Sequence, residues 1–78
     1  MDPQEQIEVH FAVEYYLLDG GEVGRVKHDF RTDEYLDGEV LQGPRQWRPC
    51  PAATVVAEGE PLSKREAKRH VKSLGGRL

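Results

Sequence analysis

One cysteine in 78 residues leaves no partner for an internal disulfide, so nothing covalent staples this chain. Long apolar runs are missing as well. The longest, around residues 15–18 and 52–57, fall far short of the roughly 20 residues a membrane helix needs. The chain does not open with a basic stretch and an apolar run. Its first residues are polar and include Asp2, Glu5 and Glu8, the profile expected of a cytoplasmic protein without a secretory leader. Hydrophobic residues make up only 37% of the chain and aromatics 8%, which excludes a large core. A chain this short buries only roughly 60% of the surface its unfolded form exposes. A single small domain over 1–78 is expected, with 1–6 and 75–78 disordered and a dimer or bound partner adding stability.

What the sequence does have is charge of opposite sign in its two halves. Residues 1–43 hold eleven acids against Arg25, Lys27 and Arg31, while residues 44–78 hold eight bases against Glu58, Glu60 and Glu66. Fields summed over a face steer ligands of the opposite sign, so this segregation points to a binding protein.

From Ile7 to Leu18 apolar and polar positions alternate, the period-two mark of a strand with one buried face. Ile7, Val9, Phe11, Val13, Tyr15 and Leu17 form the expected inner side. Asp19-Gly20-Gly21 supplies turn residues, and Val26, His28 and Phe30 resume the alternation, which predicts a β-hairpin. A loop at Asp19-Gly20 sets Val13 against Val26 and Glu14 against Arg25. A loop at Gly20-Gly21 sets Tyr15 against Val26 and Glu14 against Lys27. Both keep the apolar residues together.

Residues 31–43 read as a short helix capped by Thr32 and followed by a turn, or as a second hairpin turning at Asp37-Gly38. Residues 43–52 hold Pro44, Pro49 and Pro51 and are expected to be an irregular connection tacked down by Trp47. Thr54, Val55 and Val56 predict a third strand over 53–58, ending at the turn signal Gly59-Glu60-Pro61. Ser63 and Glu66 then make a capping box, with Leu62 positioned to staple onto Ala67, for a helix from Lys64 to about Leu74 that Gly75-Gly76 ends. The expected fold is α+β: a small antiparallel sheet of about three strands, with one C-terminal helix packed on one face.

Ala67, Val71 and Leu74 give that helix a narrow apolar stripe, and Lys64, Arg65, Lys68, Arg69 and Lys72 occupy most of the rest. Cations in the last turn suit the helix dipole, but Lys64 and Arg65 stand in the first turn, where the dipole disfavours them, so helix stability does not account for the row. Over residues 58–69 the chain resembles the end of a double-stranded RNA-binding domain, where a strand and a glycine-containing turn lead to a helix opening with Ser, two basic residues, a variable position, Ala and Lys. That resemblance implies phosphate contacts by Lys64, Arg65 and Lys68.

Other chemistry has little to stand on. His10, His28, His70 and Cys50 lack the close spacing of a zinc motif, so no metal or cofactor is expected. Cys50 has no orienting His and Asp by sequence, no phosphate-loop spacing occurs among the glycines, and the acids lie in loop-like sequence; the chain does not read as an enzyme. The leading expectation is a nucleic-acid-binding accessory module using the five helix cations, helped by Arg45 and Arg48. The alternative is a protein-binding adaptor or inhibitor of the kind mobile elements encode. It would present Asp33, Glu34, Asp37 and Glu39 to a larger protein, with Tyr16, Leu18 and Trp47 as a docking patch. A homodimer joining the acidic half of one copy to the basic helix of another is a further expectation.

Overall fold

The alternating run is a strand, β1 (Phe11–Leu17), in the computed structural model, which describes residues 10–76. Next come β2 (Val23–Asp29), β3 (Glu34–Leu41), β4 (Trp47–Pro49), α1 (Ala52–Glu58), β5 (Glu60–Leu62) and α2 (Lys64–Ser73). All strand pairs are antiparallel in one five-stranded sheet of order β4-β3-β2-β1-β5. No helix among the described residues is long and apolar enough to cross a membrane. The expected disorder of 1–6 lies outside the described residues, as do residues 77 and 78.

The sheet therefore has five strands rather than about three, and two helices rather than one. Residues 34–41 are strand β3, neither a short helix nor a hairpin of their own. Asp37 and Gly38, read as turn formers, instead make a bulge opposite Val26, with Asp37 at φ 50°. Residues 52–58 form a helix and not a third strand. Ala52, Val55 and Val56 fall at i, i+3 and i+4, and this stripe packs on Tyr16, Val26 and Val40; burial at helical spacing overrides the β propensity of Thr54, Val55 and Val56. Pro49 and Pro61 sit in three-residue edge strands, where the missing donor costs no central ladder bond.

The hairpin adopts neither expected register. Its loop spans Leu18 to Glu22, closed by the Leu18 N–H donating to the Glu22 carbonyl at 2.8 Å, so Glu14 lies opposite Val26 and Tyr15 opposite Arg25. Either anticipated pairing is one residue off, and a slip of one residue sends β2's side chains to the other face. Val26 joins Tyr16, not Val13: Tyr16 is 6% exposed and Val26 1%, while Val13 is 54% exposed. Both faces of the sheet are consequently used. Tyr16, Val26 and Val40 lie under Val55 of α1, and Val23 and Leu41 lie under Val71 of α2. Val40 and Leu41 are neighbours in one strand, so the two helices occupy opposite faces.

The β2–β3 turn is held by Asp29, whose Oδ1 accepts from the N–H of Arg31 at 2.8 Å and of Thr32 at 3.4 Å. Burial alone would raise this carboxyl, but those N–H groups and the charges of His10 and Arg31 hold it below the ordinary range.

Candidate nucleic-acid interface

Helix α2 begins on a complete capping box. Ser63 Oγ accepts from the Glu66 N–H at 3.1 Å, and Glu66 Oε1 accepts from the Ser63 N–H at 3.0 Å. The Ser63 N–H and then its hydroxyl hold the Glu66 carboxyl below its usual range against the burial that would raise it, with Arg69 and His70 adding to the lowering. The one acid on this helix is thus engaged at its own cap. At the far end Gly75, at φ 83°, donates to the Lys72 carbonyl and Gly76 to that of Val71, the paired bonds of a Schellman stop.

Ala67 and Val71, both fully buried, fix the helix's rotation on the sheet. At about 100° per residue, Lys64, Arg65, Lys68, Arg69 and Lys72 then fall within one sector of roughly 140°, and Glu66, His70 and Ser73 take the opposite flank. All five cations are exposed, and none forms an ion pair with a carboxylate of the described residues. From Lys64 to Lys72 the row runs about 12 Å.

The two additional arginines part company. Arg45 lies in the β3–β4 turn, which abuts the helix stop: a Cβ at Gly76 would stand 3.7 Å from the Arg45 backbone nitrogen. Arg48 pairs with Val40, on the face that α1 covers, and lines a recess there with Leu18, Thr54 and Glu58. The structure thus sets the Arg45 backbone beside the end of α2 and puts Arg48 on the opposite face of the sheet.

Three acids of the acidic half pair with basic groups of that same half. Arg25 holds Glu39 through both Nε, at 2.9 Å, and a terminal nitrogen, at 2.8 Å. Asp33 and Glu14 both bond His28. Glu34 and Asp37 remain exposed. Of the three residues read as a docking patch, Tyr16 is buried and Leu18 packs beside it under α1, while Trp47 is half-buried on the α2 face; they share no surface. Burial, then the Glu14 carboxylate, pushes the Tyr16 hydroxyl up to about 12.

Sequence reading missed the pairing of cations with rings on the α2 face. The Arg25 guanidinium lies 3.7 Å from the centre of the Trp47 ring, and the Lys27 ammonium 4.4 Å from that of Phe11. Parity within β1 and β2 was the only signal for the second pair, and it was lost with the register. For the first there was none, because the strand that carries Trp47 sits in a proline-rich stretch. Among the described residues no group of three or more His, Cys, Asp or Glu side chains gathers as a metal ion would require. Comparison with known proteins returns no matching family model, no similar curated protein and no similar solved structure, so the geometry alone carries the functional argument.

Proposed function

We propose that this chain is a non-catalytic nucleic-acid-binding module that grips phosphates with Lys64, Arg65, Lys68, Arg69 and Lys72. The observation that carries the reading is that these five cations share one exposed sector of α2 and meet none of the described carboxylates. A segregated charge pattern would mean little if the acidic half neutralised the basic one. Here Glu39 is engaged by Arg25, and Glu14 and Asp33 by His28, all within the sheet and its turns. The same pairings leave the adaptor alternative fewer free acids to present.

Gel-shift titration of the full chain against nucleic acid at two salt concentrations tests this directly. Binding should weaken steeply with salt, because each neutralised phosphate releases counterions, and replacing Lys64, Lys68 and Lys72 together with Gln should abolish it. Binding that survives the triple replacement, or that needs Glu34 and Asp37 instead, refutes the proposal.

A further inference from the structure

We infer that the nucleic acid is single-stranded, with its phosphates along α2 and its bases laid on the half of the sheet face that α2 leaves open. This inference rests on the reading of α2 as a phosphate-binding helix and adds which polymer it takes.

The register places Phe11, Val13 and Tyr15 of β1 on one face with Lys27 and Arg25 of β2, and Leu36 and Trp47 continue that face across β3 and β4. Helix α2 covers only the end where Val23 and Leu41 meet Val71. At the other end Val13 is 54% exposed and Leu36 37%, large apolar side chains that the described residues leave in water. The two ends of the helix border different regions. Leu74 lines a recess with Gly20, Gly21 and Glu22 at the β1–β2 loop, whereas Lys64 lines one with Val13 and Tyr15. Lys64, at the start of the cation row, therefore borders the open floor.

That floor suits bases better than phosphates. Every base has a π-face that stacks on an aromatic ring or on the plane of a guanidinium. Arg25, held by Glu39 and with its guanidinium 3.7 Å from the centre of the Trp47 ring, offers such a plane, and Phe11 and Tyr15 add rings. Asp37 and Glu39 line the recess with Val13, Tyr15, Arg25 and Lys27, two acids against two bases, so the floor carries no net charge to draw phosphates away from α2. The row of cations unpaired among the described residues lies on α2, so phosphates favour the helix and uncharged bases are left to the sheet. A duplex keeps its bases stacked on each other and gains nothing from exposed Val13 and Leu36. Duplex RNA, which the local resemblance of residues 58–69 implies, is the competing outcome.

Trp47 is the only tryptophan, and the Arg25 guanidinium lies against its ring, so its fluorescence reports on bases stacked on Arg25 at the border of the floor. The full chain is titrated with a short single-stranded oligonucleotide, with the same sequence as a duplex, and with inorganic polyphosphate, which has charge but no bases. The single strand is expected to bind about tenfold tighter than the duplex and to quench Trp47, and polyphosphate to bind without quenching. Phe11→Leu with Tyr15→Leu, which removes ring faces but keeps apolar volume, should weaken single-strand binding roughly tenfold and leave polyphosphate binding unchanged. Val13→Ser with Leu36→Ser repeats the comparison at exposed positions that the fold tolerates. Equal or tighter duplex binding, equal quenching by polyphosphate, or full single-strand affinity in both double variants overturns the inference while leaving the α2 reading intact. Failure to bind any of the three polyanions overturns both.

Discussion

Nδ1 of His28 lies 2.9 Å from Oε2 of Glu14, diagonally across the β1–β2 pair, and the ring's other nitrogen lies 2.7 Å from Oδ1 of Asp33. Ionised carboxylates only accept, so both contacts are satisfied at once when the ring is protonated, and the arrangement favours the imidazolium. It also stacks on Tyr35, with ring centres 4.4 Å apart and planes 12° from parallel. The Glu14 hydrogen bond, then that to Asp33, raises the His28 pKa above its ordinary value, against the burial that would lower it.

A raised folded pKa fixes the sign of the pH dependence. The stabilisation is complete below the unfolded value, about 6.5, and is lost as pH rises through the higher folded value. Thermal unfolding should therefore show a melting temperature that falls on going from pH 6 into the alkaline range. His28→Gln, which cannot take up the proton, should flatten that slope. A wild-type profile flat over this range would contradict the charged arrangement.

The register makes a second prediction at two valines that the sequence treats alike. Val26 is 1% exposed beneath α1, and truncation to Ala should cost about 2 kcal/mol through lost burial and the cavity left behind. Val13, 54% exposed, should lose less than about 0.5 kcal/mol on the same change. Urea unfolding of the two variants measures the difference. Equal losses would mean that the two residues share a face, as the alternative registers require.

Those valines also mark how far the sequence could be read. Periodicity made β1, β2 and the capped helix α2 legible, because each rests on local spacing and cap chemistry that neighbours in the chain decide. Register was not legible. It is set by a five-residue loop in which Gly20 and Gly21 both take φ 84°, and both apolar faces of the strands are rewarded because a helix covers each. Val55 and Val56 went unrecognised for a related reason: seven residues hold too few turns for a helical period to stand out from a β-branched run. The cations of α2 were legible because exposure follows from rotation, and rotation from Ala67 and Val71. Their distance from the acidic half was not, since it depends on Arg25 and His28 engaging Glu39, Glu14 and Asp33 across strands.

Two glycines should differ in what replaces them. A Cβ at Gly24 would stand 2.7 Å from Cγ1 of Val55, a side-chain atom on a short helix that can shift. At Gly38 it would meet the backbone, with the Ala52 nitrogen at 2.7 Å and its Cα at 2.8 Å, where Cys50 also donates its N–H to the Gly38 carbonyl at 2.9 Å. Overpacking commonly costs about 1–3 kcal/mol, so Gly24→Ala is expected near the lower figure and Gly38→Ala at or above the upper. Denaturant midpoints give the order, and the reverse order would argue against the close approach of the α1 lead-in to the β3 bulge.

The positions of Arg45 and Arg48 yield the sharpest test of the interface. Each phosphate neutralised on a single strand contributes about 0.7 to the slope of log affinity against log salt, so the five α2 cations together imply a slope near 3.5. Lys68→Gln should lower it by about 0.7, and Arg45→Gln, beside the helix stop, should lower it comparably. Arg48 pairs with Val40 on the opposite face, so Arg48→Gln should leave both the slope and the affinity unchanged. If Arg48 mattered as much as Arg45, the polymer would have to contact both faces of the sheet, and a single phosphate track along α2 would no longer describe the interface.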